Sequence, residues 1–303
     1  MFSTLRRFAI LAAVVGFAAV LLGSWTRING AGMTCPDWPL CHGKLIPSMA
    51  DGTIWEWSHR LFAFATAPLV AIVAFLAFRA RAKEPMLGPL VAVVAILFLT
   101  QVLLGAATVH LGNSPISVVL HWGTAMAFIA TLLAIAILAG DARADLSNEW
   151  SAPSRRTTLL LCATTISAFM TMCVGAFVSS SGAGLACLSL PTCAGHVLLS
   201  QPAQQVQMLH RAFAAITLML SVATSIALFV RPNPPRVRSA GVIGFALLCL
   251  QILLGLMNVA LRLPTDLREA HAANAALLFL AYSSALIFSL TRSESVPQEL
   301  HGA

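Results

Sequence analysis

The chain alternates between long apolar segments and short polar connections. The apolar segments approach the roughly 20 helical residues that cross a bilayer core about 30 Å thick. Backbone groups in lipid must be paired within a segment, and the alternation typical of barrel strands is missing, so each segment is predicted to be a helix. Eight such helices are predicted, near residues 8–26, 59–79, 86–110, 116–140, 157–178, 209–230, 239–261 and 271–291.

Composition supports the same class of protein. Of the 303 residues, 58% are hydrophobic and 10% are charged, which is more apolar surface than a soluble domain can bury. The chain is therefore predicted to be an all-α integral membrane protein in a lipid bilayer. The formal net charge of +7 comes from basic connections, so it gives no reason to expect nucleic acid as a partner.

The basic residues predict an orientation. The N-terminus and the connections on its side of the membrane hold most of the 18 Lys and Arg residues, and basic connections stay in the cytoplasm. Both termini are therefore predicted to be cytoplasmic. No Ser- and Arg-rich transit peptide precedes the first helix, which favours a multi-pass protein of the bacterial plasma membrane. The basic residues on this side are Arg6, Arg7, Arg79, Arg81, Lys83, Arg143, Arg155, Arg156, Arg231, Arg236, Arg238 and Arg292.

The sequence contains an internal repeat. "GSWTRINGAGMTCPDWPLC" (23–41) aligns without gaps to "GAFVSSSGAGLACLSLPTC" (175–193), and "HRLFAF" and "QVLLGAATV" return later as "HRAFAA" and "QILLGLMNV". We predict two tandem, pseudo-symmetric four-helix bundles, 1–140 and 157–303, joined by a cytoplasmic linker, 141–156. The first helix is repeated in the fifth, which favours an uncleaved helix over a secretory signal.

Four cysteines lie in two repeated connections on the predicted outer side. The outside of the plasma membrane is oxidising, so disulfides can form there. Four cysteines allow three pairings, and the duplicated spacing favours Cys35–Cys41 and Cys187–Cys193. Both bridges are predicted to hold a loop over its bundle, and a redox role for the first pair stays open. "CPDWPLCH" lacks the C-x-x-C-H spacing of covalently attached haem.

Four histidines are repeated: His59, His121, His210 and His271. Each is predicted to open an even-numbered helix, so all four lie at one depth near the outer face. Ionisable groups at membrane depth are costly and usually functional. Two facing imidazoles suit the axial positions of haem iron, so one haem is predicted in each bundle, with a proton relay or another metal as the alternative. Zinc is disfavoured because two histidines leave its tetrahedron incomplete.

Arginine follows the first histidine of each pair. Arg60 and Arg211 are predicted to bind haem propionates, and interfacial snorkelling is the alternative. The remaining histidines lack repeated counterparts and are predicted not to be ligands. These are His42, His110, His196 and His301.

The two halves of the repeat differ at the residue that stands three positions before the first histidine. Glu56 precedes His59 by three residues, and Gln207 holds the same place before His210. A carboxylate beside a haem can accept a proton, position a water or stabilise positive charge, whereas an amide cannot accept the proton. We predict a reactive site in the first half and an electron-transfer or structural haem in the second, a solvated loop acid being the alternative for Glu56. Tryptophan shows the same division, with Trp25, Trp38, Trp55, Trp57 and Trp122 in the first half.

In these motifs the chain resembles the haem A synthases, in particular the bacterial branch that carries loop cysteines. The resemblance implies oxidation of a methyl group of farnesylated haem O to the formyl group of haem A, through a hydroxymethyl intermediate. The motifs that carry the resemblance are "TRINGAGMTCPDWPLCHG", "EWSHR", "LTQVLLGA", "VVLHWG", "LHRAFA", "LQILLG" and "EAHAANA".

The resemblance also implies roles for single residues. His210 and His271 would ligate a resident haem b, while His59 and His121 would hold the substrate haem O. Glu56 would be the catalytic acid residue. Cys35 and Cys41 would form the loop disulfide that is associated with activity in that branch.

The implied setting is the assembly of a terminal oxidase. Haem O synthase, a farnesyltransferase, would supply the substrate, an unidentified partner would exchange electrons, and a homo-oligomer is compatible with the sequence. The alternatives are a b-type electron-transfer cytochrome handling quinol and a haem-handling protein without enzymatic activity. A conduit usually stacks its haems near opposite faces, whereas these four histidines are predicted at one face.

Overall fold

The computed structural model describes residues 1–141, 153–189, 191–193 and 200–291. Within these residues the chain forms eight α-helices and one short 3-10 turn. Each α-helix is long and apolar enough to cross a membrane, which confirms the prediction of an all-α integral membrane protein. The helices are α1 Phe2–Ile28, α2 Thr53–Ala80, α3 Leu87–His110, α4 Pro115–Asp141, α5 Arg155–Ser180, α6 Pro202–Val230, α7 Pro235–Ala260 and α8 Thr265–Leu290.

Helices α2 and α6 begin earlier than the apolar pattern predicts. The predicted starts at 59 and 209 are late, because a polar turn precedes the apolar segment of each helix. Gly52, in the left-handed conformation at φ 83°, precedes α2, and Pro202 stands in the first turn of α6, where its missing N–H costs nothing. Both polar turns are therefore helical.

The helices pack mainly with neighbours in the chain. α1 lies against α2 and α4, and α3 lies against α4; in the same way α5 lies against α6 and α8, and α7 lies against α8. α8 also contacts α1 and α4, and α4 contacts α5. The two groups of four helices therefore meet along α1, α4, α5 and α8.

Polar side chains join the two groups near the cysteine-loop end of the helices. Ser24 Oγ donates to Glu269 Oε2 at 2.7 Å, and Arg27 Nη2 donates to Ser179 Oγ at 3.1 Å. In lipid the hydrophobic effect does not drive helices together, so hydrogen bonds of this kind help to hold the two groups of helices against each other.

Some sequence predictions fall outside the described residues. They concern residues 142–152 of the linker, which include Arg143, and also His196, Arg292 and His301. The division into bundles 1–140 and 157–303 stays a prediction.

Candidate functional site

Two disulfide-closed loops lie at one end of the helices. Cys35 is bonded to Cys41 and Cys187 to Cys193, which confirms both predicted pairings. All four cysteines are buried. The loops are therefore folded against the helices.

The arginine of each His-Arg pair holds its loop. Arg60 Nη2 donates to the Cys35 carbonyl at 2.8 Å, and Arg211 Nη2 donates to the Cys187 carbonyl at 2.7 Å. Both guanidinium groups thus lie against repeat-equivalent loop carbonyls, and their assignment to haem propionates stays a prediction. Further loop carbonyls accept from Arg60 at Asp37 and Leu40, and from Arg211 at Ser189, Pro191 and Thr192.

Glu56 is buried against the first loop, with 4% of its surface exposed. Its Oε2 accepts from the Cys35 N–H at 2.9 Å and from Thr34 Oγ1 at 3.0 Å. Its Oε1 accepts from Arg60 Nη2 at 2.7 Å and forms an ion pair. These contacts exclude the solvated loop acid and fix a carboxylate one helical turn from His59.

Gln207 makes the matching contact in the second loop. Its Oε1 accepts from the Cys187 N–H at 2.6 Å, and its Nε2 donates to the Gly184 carbonyl at 2.8 Å. Ala186 stands where the first half has Thr34. An amide can therefore hold a cysteine N–H in this fold, and the charge of Glu56 is a separate property of the first half.

The structure brings the four repeated histidines together as two pairs. The ring centres of His59 and His121 lie 6.4 Å apart, and those of His210 and His271 lie 6.5 Å apart. A metal–imidazole bond is about 2 Å long, so two imidazoles on opposite sides of one iron place their ring centres about 6 Å apart. Both separations fit axial ligation of haem iron.

The first histidine of each pair has one nitrogen held by backbone. His59 Nδ1 lies 2.8 Å from the Ala19 carbonyl oxygen, and His210 Nδ1 lies 3.2 Å from that of Thr171. A carbonyl oxygen only accepts, so Nδ1 carries the proton in both rings. Each Nε2 then keeps its lone pair for a metal, the usual arrangement of a ligating histidine.

The second histidine of each pair faces a glutamine. Gln101 Nε2 lies 3.1 Å from His121 Nδ1 and 3.2 Å from its Nε2. Gln251 Nε2 lies 3.1 Å from His271 Nε2. The glutamines come from α3 and α7, so the neighbouring helix of each bundle orients the ring. An amide N–H only donates, so the Gln251 bond uses the lone pair of His271 Nε2 and leaves Nδ1, which is buried without a hydrogen-bond partner among the described residues, as the nitrogen free for a metal.

Each of the four imidazoles lies on a helical glycine. A Cβ on Gly23 would stand 2.8 Å from His59 Cε1, and one on Gly175 would stand 2.9 Å from His210 Cε1. A Cβ on Gly105 or Gly255 would stand 3.3 or 3.2 Å from the Cε1 atom of the second histidine. At Gly23 and Gly175 a Cβ would force the ring or the backbone to shift, whereas at Gly105 and Gly255 the contact would be tight and need a shift of a few tenths of an ångström.

The site residues fit haem. The nitrogen donors, two per pair, match the axial positions that a porphyrin leaves open on its iron, and the glycines and backbone acceptors fix the rings. Glu56 lies one helical turn before His59 of the first pair, and Gln207 takes the equivalent place in the second pair.

Two further histidines have other surroundings. His42 Nε2 lies 2.8 Å from the Thr34 carbonyl oxygen in the first loop, and His110 is exposed at the end of α3. In the same loop the backbone N–H groups of Gly43 and His42 lower the pKa of the Asp37 carboxyl. Neither histidine joins a pair.

Sequence reasoning missed several of these residues. The glycines and glutamines were visible as repeated letters in "QVLLGA" and "QILLGL", where Gln and Gly stand four residues apart on one helix face. Gly23 and Gly175 were likewise repeated. The sequence repeat did not show which imidazole each glycine or glutamine contacts.

Comparison with known proteins places these features in a family. The family model COX15-CtaA, described as cytochrome oxidase assembly protein, matches residues 6–283. A protein of Geobacillus kaustophilus named heme A synthase is 30% identical over 308 residues, 99% of this chain and 96% of that protein. Its namesakes from Bacillus licheniformis and Shewanella oneidensis are each 28% identical, over 88% and 91% of this chain and 90% and 94% of their own lengths.

Proposed function

The chain belongs to the COX15-CtaA family of cytochrome oxidase assembly proteins, and on this premise we propose that it is a haem A synthase. It oxidises a methyl group of haem O to the formyl group of haem A, through a hydroxymethyl intermediate. The relatives named above support this function and do not favour a quinol-handling cytochrome.

One observation carries the proposal. Two repeat-equivalent pairs of imidazoles stand at separations that suit a haem iron. The buried carboxylate of Glu56 lies one helical turn before His59, and the amide of Gln207 takes the equivalent place before His210. A symmetric electron carrier has no use for an acid in one half. The packing of the eight helices into two groups of four supports two bundles, each with one haem.

The second pair holds the resident cofactor in this proposal. His210 and His271 would ligate haem b, which supplies one-electron redox chemistry when bound. Thr171 keeps the proton on His210 Nδ1, so Nε2 would be the neutral nitrogen donor to the iron.

The first pair holds the substrate. His59 and His121 bind and orient the iron of haem O, and Glu56 is the fixed anion next to them. Its ion pair with Arg60 and its bond to the Cys35 N–H keep the carboxylate in place. A preorganised charge of this kind stabilises positive charge that develops on the oxidised substrate.

The proposal includes a cellular setting. The chain spans the bacterial plasma membrane with both termini in the cytoplasm, so the cysteine loops and histidine pairs lie toward the outer face. Haem O synthase delivers the substrate, and a separate electron partner completes the oxidation.

Expression tests the function directly. The chain is produced beside a haem O synthase, in a bacterial host that lacks its own haem A synthase, and the extracted haems are identified by chromatography and mass. We expect haem A, with a formyl group, in place of part of the haem O. Extracts that hold only haem B and haem O, with the protein present in the membrane, would overturn the proposal.

Gly23 provides a test of the first pair. Replacing Gly23 with Ala puts a Cβ 2.8 Å from the His59 ring, and overpacking of this kind costs about 1–3 kcal/mol. The ring cannot move away without losing its bond to Ala19. We expect haem O binding to weaken by about 5- to 150-fold by spectral titration of the purified protein.

A second glycine substitution in the same helix is the control, because it adds a Cβ away from the His59 ring. A Cβ on Gly16, also in α1, would meet Phe128 at 3.7 Å, which is ordinary contact, so Gly16→Ala should bind haem O normally. The resident haem spectrum should persist in both variants. Unchanged haem O binding in Gly23→Ala would show that the His59 ring does not depend on this glycine.

A further inference from the structure

The two glutamines that face the second histidines are held differently. Gln251 Oε1 accepts from Asn274 Nδ2 at 2.7 Å, and the same amide donates to the Leu247 carbonyl at 2.9 Å. Gln251 Nε2 contacts both the ring and the backbone carbonyl of His271. Every polar atom of the Gln251 side chain is therefore engaged, and the side chain cannot turn without breaking these bonds.

Among the described residues, no side chain donates to the Gln101 carbonyl oxygen as Asn274 does to that of Gln251. Its Oε1 is buried and has no hydrogen-bond partner in the part of the chain that the structure describes, and Thr124 stands where the second half has Asn274. Its one contact is between Nε2 and the His121 ring. A buried acceptor without a partner is unfavourable in this orientation, so the Gln101 amide can turn at little cost.

A second position shows the same difference. Asn258 Nδ2 donates across the helix pair from α7 to the Leu267 carbonyl of α8, at 3.1 Å. Its counterpart in the first half is Thr108, which donates instead to the Leu104 carbonyl of its own helix at 2.6 Å.

The two asparagines therefore cross-link α7 to α8. Both are at least nine-tenths buried, with Asn258 at 6% and Asn274 at 5% exposed. Between α3 and α4, which lie wholly within the described residues, the contact of Gln101 with His121 is the side-chain hydrogen bond that crosses. Separating α7 from α8 must break more hydrogen bonds than separating α3 from α4.

We propose that this difference sets how firmly each pair holds its haem. Asn258 and Asn274 make the second pair a retaining site for the cofactor, whereas Thr108 and Thr124 let α3 and α4 part, so that substrate enters and product leaves. All four are positioning residues that act through His121 and His271. The inference rests on the proposed function for the identity of substrate and product, but the difference in retention does not.

Reciprocal substitutions test the inference with haem B as the probe at both pairs. Purified full-length protein is loaded with haem B, and loss to excess apomyoglobin is followed by absorption. One pair is observed at a time, in a His59→Ala or His210→Ala background. We expect Asn274→Thr to speed haem loss from the second pair about tenfold, because two buried hydrogen bonds are lost, and Thr124→Asn to slow loss from the first pair by a similar factor.

Thr131 supplies the matched control on α4. Its hydroxyl bonds to the Ala127 carbonyl of its own helix, so Thr131→Asn should leave haem loss from the first pair unchanged. A second readout follows expression beside haem O synthase, where Thr124→Asn should retain more haem A per protein after purification. Thr124→Asn remains informative if Asn274→Thr does not fold, since it adds a bond to an intact site.

The outcomes separate the inference from the function. Haem A production with equal rates of haem loss in the reciprocal variants would overturn the inference alone. Altered rates without any haem A would overturn the proposed function and leave the difference in retention standing.

Discussion

Replacing Glu56 with Gln is expected to lower haem A formation by at least about a hundredfold, the lower end of the loss on removing one preorganised charge-stabilising group. Haem O should still bind to the first pair, and the resident haem should keep its spectrum. The fold of the first loop should persist, because Gln207 already holds the Cys187 N–H at the equivalent place. The change removes the charge and preserves the shape.

The measurement compares haem composition in extracts with haem O binding by the purified variant. Glu84→Gln makes the same chemical change at a partly exposed acid outside the helices, and it should leave both quantities unchanged. Normal haem A formation in Glu56→Gln would show that Glu56 serves the loop alone, a task that an amide performs equally well in the second half.

Replacing His210 with Ala is expected to abolish the absorption spectrum of the resident haem and, with it, haem A formation. In this proposal His210 would supply one of the two nitrogen donors that hold the iron, and alanine supplies no donor. His271 alone cannot complete the pair. The measurement is the reduced-minus-oxidised spectrum of purified protein, with haem content determined after extraction.

Two other histidine substitutions are the controls for this variant. His59→Ala should keep the resident spectrum and lose haem O binding, since the two pairs are separate. His110→Ala, at the exposed end of α3, should change neither. A resident spectrum that survives in His210→Ala and disappears in His59→Ala would exchange the roles of the two halves.

The comparison of Glu56 with Gln207 shows how much of the candidate site could be predicted from the sequence. Repetition marked the position, and the change from acid to amide marked the first half as different. The apolar pattern nevertheless placed the starts of α2 and α6 too late, because a polar helical turn at a membrane surface carries no hydrophobic signal. The structure shows that both side chains accept from a cysteine N–H, which explains why the turn is polar.

For Arg60 and Arg211 the sequence did not give the contacts within the fold, and their binding to haem propionates stays a prediction. Their sequence position suggested haem propionates, since a guanidinium group at the water boundary suits an anion. In the fold they donate to loop carbonyls of their own half. Which acceptor an arginine meets depends on how the chain returns to it, and local sequence does not specify that.

The sequence by itself determined the membrane helices and the duplication, and its repeated spacing favoured the two disulfide pairings that the structure contains. These follow from segment length, composition and repeated spacing, which are properties of neighbouring residues and of the lipid environment. Only the tertiary structure decided the distance between imidazoles, the glycines on which they lie and the bonds of Asn258 and Asn274. Those depend on how the helices pack against one another, which the local sequence does not specify.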